Sequence, residues 1–248
     1  MDAEEYPKLA AVEDTMWYFR ALHAHVARAL AKFLPRASRV DLVDAGCGTG
    51  GLIRRSKASH PQWRWTGVDL SPIACGLARE RVGENTPIVE GSVTALPLAD
   101  ASCDVVTSLD VIYHVDDDEA ALREFHRILR PGGIVVINVP AYPWLWSYHD
   151  VATHARRRYT RAQLLAKLRA AGFNVVGATY WNAVFFPLVV LRRKLLPAPR
   201  GRSDVQLFSP PVEAAFHFGM AIERTWLGAL QRLPFGSSIF AVARKPLA

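Results

Sequence analysis

Two acids and a run of glycines supply the first chemistry in this chain. Val40-Asp41-Leu42-Val43-Asp44 is a short apolar run ending in an acid, and Ala45-Gly46-Cys47-Gly48-Thr49-Gly50-Gly51 follows at once. Glycines at that density let a backbone turn tightly and approach a ligand closely. Gly46-x-Gly48-x-x-Gly51 also fits the spacing of a dinucleotide-binding loop. Asp69 stands 23 residues after Gly46, at the end of a second apolar run, Arg64–Asp69. A carboxylate there can accept hydrogen bonds from both hydroxyls of a ribose. The order of strand, glycine loop, helix, strand and acid implies a ligand that contains a nucleoside. Asp44 then divides the nucleoside ligands. It would repel the diphosphate of NAD, and it suits the ammonium and sulfonium of S-adenosylmethionine (SAM), so electrostatics favours SAM.

A second set of reactive side chains lies further on. His114 follows Asp110-Val111-Ile112-Tyr113. It reads either as a general base or as a histidine bonded to neighbouring backbone. Trp144-Leu145-Trp146-Ser147-Tyr148-His149-Asp150, then His154 and Arg156-Arg157-Arg158-Tyr159, set aromatics beside a histidine–acid pair and an arginine cluster. This composition reads as an acceptor pocket. His149 and His154 join His114 as catalytic candidates. Tyr113, Trp146, Tyr148, Asp150, Arg157, Arg158, Tyr159 and Trp181 are the candidate substrate contacts. Arginine forks match phosphate or carboxylate bidentately, although the same cluster also fits a solvated turn. The His/Asp/His spacing matches no standard metal motif, and no metal is expected.

These residues need elements to hold them. Met16–Leu34 reads as a helix rich in Ala and Leu. Strand and helix then alternate. Strands are expected at 40–44, 64–69, 87–89, 104–108, 134–139, 173–179 and 238–243. Ser71-Pro72 opens a helix with a cap and a first-turn proline. Asp116-Asp117-Asp118 opens another that reaches Arg130, with Pro131-Gly132-Gly133 to end it. Thr160-Arg161-Ala162-Gln163 is a capping box for a third. This alternation predicts an α/β fold with a parallel sheet covered by helices on both faces. Residues 140–160 and 181–236 exceed the minimal repeat and are expected to face substrate.

The motifs in order resemble a known family. Asp44-Ala45-Gly46-Cys47-Gly48-Thr49-Gly50, Gly67-Val68-Asp69-Leu70-Ser71, Ala95-Leu96-Pro97-Leu98-Ala99-Asp100 and Leu129-Arg130-Pro131-Gly132-Gly133 look like successive motifs of class I SAM-dependent methyltransferases. The insertion at 140–160 resembles a bacterial type 11 branch with a His-Asp and Arg-Arg-Tyr-Thr pattern. The resemblance implies a doubly wound, seven-stranded Rossmann-like sheet whose last strand is antiparallel and sits between the fifth and sixth. It implies that backbone around Gly46, Cys47 and Gly48 cradles the methionine part of SAM, with Asp44 nearby. Asp69 would hold the ribose, Leu70 would pack on adenine, Ser92 and Val93 would line its edge, and Leu109 would lie near the transferred methyl. Ser92 departs from relatives that carry an acid there. Trp17-Tyr18-Phe19-Arg20 resembles a motif of some relatives, in which Tyr18 or Arg20 would reach the SAM carboxylate. Tyr113 stands where some quinone-precursor O-methyltransferases carry an acid linked to metal use. The expected product of the cofactor is S-adenosylhomocysteine.

Composition bounds the rest. The chain has 248 residues, half of them hydrophobic, and a net charge of +7. Residues 181–248 hold 9 basic and 3 acidic residues, so nearly all the excess lies there. Three cysteines argue against a disulfide scaffold and for a reducing cytoplasm. Tyr180–Leu191 is apolar apart from Asn182, and Arg192-Arg193-Lys194 follows. That run is too short to span a bilayer but suits a lid over a greasy acceptor, a buried or dimer-forming helix, or a peripheral membrane contact through 181–196. The expected organisation is an N-terminal helical lid (1–36), a SAM-binding core (37–180), a helical insertion (181–236) and a last strand (237–248). The expected function is methyl transfer to a small, hydrophobic and anionic molecule, with no nucleic-acid partner. RNA methylation, a non-catalytic membrane-surface module and an NAD oxidoreductase are the competing readings.

Overall fold

The computed structural model describes residues 4–34, 39–196 and 207–247. Seven strands form one sheet: β1 Asp41–Ala45, β2 Arg64–Asp69, β3 Ile88–Glu90, β4 Cys103–Leu109, β5 Leu129–Pro140, β6 Asn174–Trp181 and β7 Ser238–Arg244. Their order is β3-β2-β1-β4-β5-β7-β6. β1 to β5 run parallel, and β7 is antiparallel to both β5 and β6. The helices are α1 Glu5–Val12, α2 Trp17–Phe33, α3 Gly51–Ser59, α4 Pro72–Val82, α5 Asp118–Ile128, α6 Tyr148–Ala152, α7 Arg161–Ala170, α8 Phe186–Lys194 and α9 Pro210–Leu230.

Alternation along the central strands builds two cores. Val43, Val106, Val135, Ile137 and Ala241 face one side, where they pack with Leu122, Phe125 and Ile128 of α5 and Leu164 and Leu168 of α7. Leu42, Val105, Ile134, Val136 and Val242 face the other, against Leu22, Val26 and Leu30 of α2, Ile53 of α3 and Ala78 of α4. A strand buried on both faces needs a continuous apolar run, and Ile134–Ile137 supplies one before Asn138. The caps hold as expected. Ser71 Oγ accepts from Ala74 N, Asp117 Oδ1 accepts from Ala120 N, and Thr160 and Gln163 complete a capping box on α7.

Pro131-Gly132-Gly133 differs from its expectation. α5 stops at Ile128, and β5 starts at Leu129, so the three residues lie inside the strand. Gly133 has the Asp104 and Arg130 carbonyl oxygens 2.9 Å from where a Cβ would stand, so glycine here serves close strand approach. Within the expected N-terminal helical segment, α1 precedes the one helix foreseen there, at Met16–Leu34. The remaining helices place the insertions. α9 lies along α2, with Trp17 stacked on Phe216 at 5.0 Å, and Phe216 also meets Phe185, the residue that precedes α8, at 4.8 Å. Pro187 stands in the first turn of α8 and starts that helix.

Candidate active site

One cleft of about 830 Å³ opens at the carboxyl ends of β1, β2 and β4. A crevice at the strand ends of a doubly wound sheet is where such folds take ligands. Asp44, Gly46, Cys47, Gly48, Asp69, Leu70, Ser92, Val93 and Leu109 all line it. The glycine loop is built for close approach. Gly46 has φ +85°, and a Cβ there would collide with the Val111 side chain. Asp69 fastens the loop to β2: its Oδ2 accepts from Gly48 N at 2.8 Å and its Oδ1 from Ser71 N at 2.9 Å. Leu70 is 71% exposed, an apolar side chain presented to the cleft. Tyr6 of α1 lines the cleft beside Ser71 and Asp69.

Asp44 is 4% exposed, and Thr107 Oγ1 donates to its Oδ1 at 2.6 Å. Burial pushes its carboxyl up to about 7, against the one hydrogen bond that opposes the shift. A buried acid in that state suits a cationic ligand, which would restore its charge. The donor set and the Gly46 cradle therefore fit the methionine end of SAM. The segment after α1 is fastened to the same loop. Glu13 takes a hydrogen bond from Thr49 Oγ1 and an ion pair from Arg81, both at 2.6 Å, and packs where a Cβ on Gly51 would stand.

A polar network that the sequence reading missed crosses the floor of the cleft. Asp110 has φ +56°, an uncommon conformation that aspartate tolerates better than most residues. Tyr18 Oη donates to its Oδ2 and Asn138 Nδ2 to its Oδ1, both at 2.8 Å. Trp181 Nε1 fixes the Asn138 amide by donating to its Oδ1 at 2.7 Å, and Tyr18 stacks on Trp181 at 5.0 Å. Burial raises the Asp110 carboxyl to about 6 and the Tyr18 phenol well above its ordinary range. The only clue in the sequence was an acid just after β4, which the quoted motifs do not include.

The candidate pocket residues divide. Tyr18, Tyr113, His114, His149, Asp150 and Arg158 line the cleft. His114 Nδ1 lies 3.4 Å from the His154 carbonyl oxygen, and burial lowers its pKa to about 4, so it is neutral at pH 7. Burial also holds the Tyr113 phenol above its usual range. Arg158 and Asp150 form a buried ion pair at 2.6 Å, and Arg158 also donates to Ala141 O, which pins the 140–160 loop. The other candidates lie outside the cleft lining. Arg20 faces a separate pocket with Arg55 and Arg224. His154 is exposed. Arg157 braces the Val115 and Asp116 carbonyls and pairs with Asp118, while Tyr159 Oη donates to Asp118 Oδ2. Trp181 is fully buried behind Tyr18. Trp146 is surface-exposed, and Tyr148 carries Arg192 over its ring at 5.2 Å.

The carboxyl-terminal insertion supplies the far wall. Phe185, Leu188, Val189, Leu196, Phe208 and Phe216 line it with Arg192 and Arg193. Glu223 anchors that wall. Fully buried, it accepts from the backbone nitrogens of Asn182 and Ala183 at 2.6 Å and Val184 at 3.1 Å. Among the described residues no group of three His, Cys, Asp or Glu is placed to hold a metal.

The fold and this cleft together define a class I, SAM-binding type of domain. Residues 43–137 match the family model described as a methyltransferase domain. A malonyl-acyl-carrier-protein O-methyltransferase of Hahella chejuensis is 32% identical over 138 residues, covering 54% of this chain and 47% of the relative. A demethylmenaquinone methyltransferase of Chlorobaculum tepidum is 34% identical over 126 residues, 51% of this chain and 50% of the relative. The chain thus spans about half the length of the curated relatives it matches. A geranyl diphosphate C-methyltransferase from Streptomyces coelicolor, solved with Mg²⁺, geranyl diphosphate and S-adenosyl-L-homocysteine, shares the fold. Its TM-score is 0.61 at 16% identity, over 92% of this chain and 80% of that one. Over residues 43–137 the chain thus resembles the methyltransferase domain in sequence, and its sheet order is that of the class I fold.

Proposed function

We propose that the protein transfers the methyl group of SAM to a small, largely apolar acceptor that carries an anionic group. One observation carries this reading: a single cleft runs from the glycine loop and its two acids to an apolar wall bearing Arg192 and Arg193. The cofactor end is acidic and the acceptor end is apolar and basic, so the two ends suit ligands of opposite character. Among the relatives, the demethylmenaquinone methyltransferase is named for an apolar acceptor and the malonyl-acyl-carrier-protein O-methyltransferase for an acidic one; the reading draws on each for one half of the acceptor.

When bound, SAM supplies an electrophilic methyl group and a neutral leaving group. This chain's residues bind, orient and exclude water. In this reading Asp44 faces the cationic amino-acid moiety, and Asp69 accepts from the ribose. Leu70 packs on adenine, with Ser92 and Val93 at its edge, and Leu109 lies near the methyl. Asp110, His114 and His149 are the groups placed to take a proton from an oxygen or nitrogen acceptor. Arg158, Arg192 and Arg193 face the acceptor's anionic group, and α8 and α9 cover its apolar part.

Calorimetry with SAM and S-adenosylhomocysteine tests the cofactor half. Saturable binding of both is expected, and Asp69→Ala weakens it by about tenfold or more as its charged hydrogen bonds are lost. No binding to the folded wild type, or binding untouched by the substitution, contradicts the assignment.

A further inference from the structure

α8 is the only described α-helix that buries none of its residues. It has nine residues, and helices this short are marginal in water unless an apolar face is packed. Part of its apolar surface, with Leu195 just beyond it, faces outward instead. Leu188, Leu191 and Leu195 are 47%, 42% and 73% exposed. The surface continues across the turn at Pro143–Leu145, where Trp144 is 53% exposed and meets Phe186 at 6.2 Å. Phe186 in turn meets half-exposed Phe235 at 5.8 Å.

The charge around this face has one sign. Arg192, Arg193 and Lys194 end α8, and Lys194 Nζ donates to the Trp146 carbonyl at 2.9 Å. No Asp or Glu occurs between residues 181 and 196, and Asp150, the one acid of the facing loop, is buried against Arg158. Leucines and a tryptophan bounded by cations and free of exposed acids match what an interfacial helix needs on an anionic bilayer. No described helix is long and apolar enough to cross one. The face is also continuous with the cleft, because Leu188 and Leu196 are about half exposed and line its wall.

We infer that α8 and the Trp144 turn dock the protein on an anionic lipid surface, with the mouth of the acceptor cleft against the bilayer. The role given to the cleft rests on the methyltransferase reading; the docking does not. An apolar, anionic acceptor held in that bilayer would enter without crossing water.

The test is co-sedimentation of the full chain with vesicles of phosphatidylcholine alone and with added phosphatidylglycerol, alongside SAM calorimetry. Binding should appear with phosphatidylglycerol and weaken as salt is raised. Leu191→Glu and Leu195→Glu, which lie outside the cleft lining, should each cut partitioning by about tenfold or more while SAM affinity is unchanged. SAM binding without vesicle binding overturns the docking and leaves the methyltransferase reading standing. Vesicle binding without SAM binding does the reverse. Vesicle binding that both substitutions leave intact also overturns the assignment to α8. So does a dimer in light scattering that Leu191→Glu dissociates, with no partitioning into either vesicle, because the face would then be a subunit seam.

Discussion

At the scale of single residues, Asp44 carries the most specific physical consequence. Its carboxyl sits near 7 in the folded chain because it is buried, above the ordinary value of about 4. A raised acid favours the fold while protonated, so its contribution fades as pH rises from about 4 through 7. A cationic ligand prefers the ionised form. Affinity for SAM should therefore climb from about pH 6 to pH 7 by up to tenfold per unit and flatten above, with a proton released on binding below pH 7. Calorimetry in buffers of different ionisation enthalpy measures both. Asp44→Asn should flatten the profile; an equal slope in that variant would assign the proton elsewhere, with Asp110 the next group in the cleft. The Gly46 loop, Asp44 and Asp69 were legible in sequence because their spacing is local. Asp110 was not, because its partners Tyr18, Asn138 and Trp181 come from α2, β5 and β6. Arg157 misled for a related reason. An arginine cluster fits a ligand or a carbonyl brace equally well, and only the fold shows that Arg157 holds Val115 and Asp116.

At the scale of elements, periodicity and caps located every strand to within a few residues. The boundary error at Pro131-Gly132-Gly133 arose because the same three residues end a helix and permit a tight strand approach. The insertions were the harder case. The apolar residues of α9 have two possible neighbours, and in the fold Phe216 packs both on Trp17 of α2 and on Phe185 before α8. What holds α9 to the sheet is Glu223, whose carboxylate is shared by three backbone N–H groups at 182–184. Glu223→Ala would leave those donors buried and unpaired at a cost of about 3 kcal/mol, or roughly 6–12 °C in Tm. Thermal unfolding checks this, and a change of a degree or less would mean that α9 is held by its other contacts alone.

At the scale of the molecule, charge and shape are divided along the chain. Residues 1–180 are nearly neutral, and among their acids Asp44 and Asp69 line the glycine-loop end of the cleft. Most of the basic excess lies in residues 181–248, where Arg192 and Arg193 line the apolar wall of the cleft. An overall +7 suggests nucleic acid when read as one number; read by position, most of it falls after residue 180, and two of those cations border an apolar cleft wall. The measurement that bears most directly on this account is methyl transfer itself. The protein is incubated with methyl-labelled SAM and a cell extract, which is then separated into lipid, aqueous small-molecule and RNA fractions. Label in a solvent-extractable, acidic molecule, lost in Arg192→Ala/Arg193→Ala, is the predicted result. Label confined to RNA, or none in any fraction from a protein that binds SAM, would contradict it.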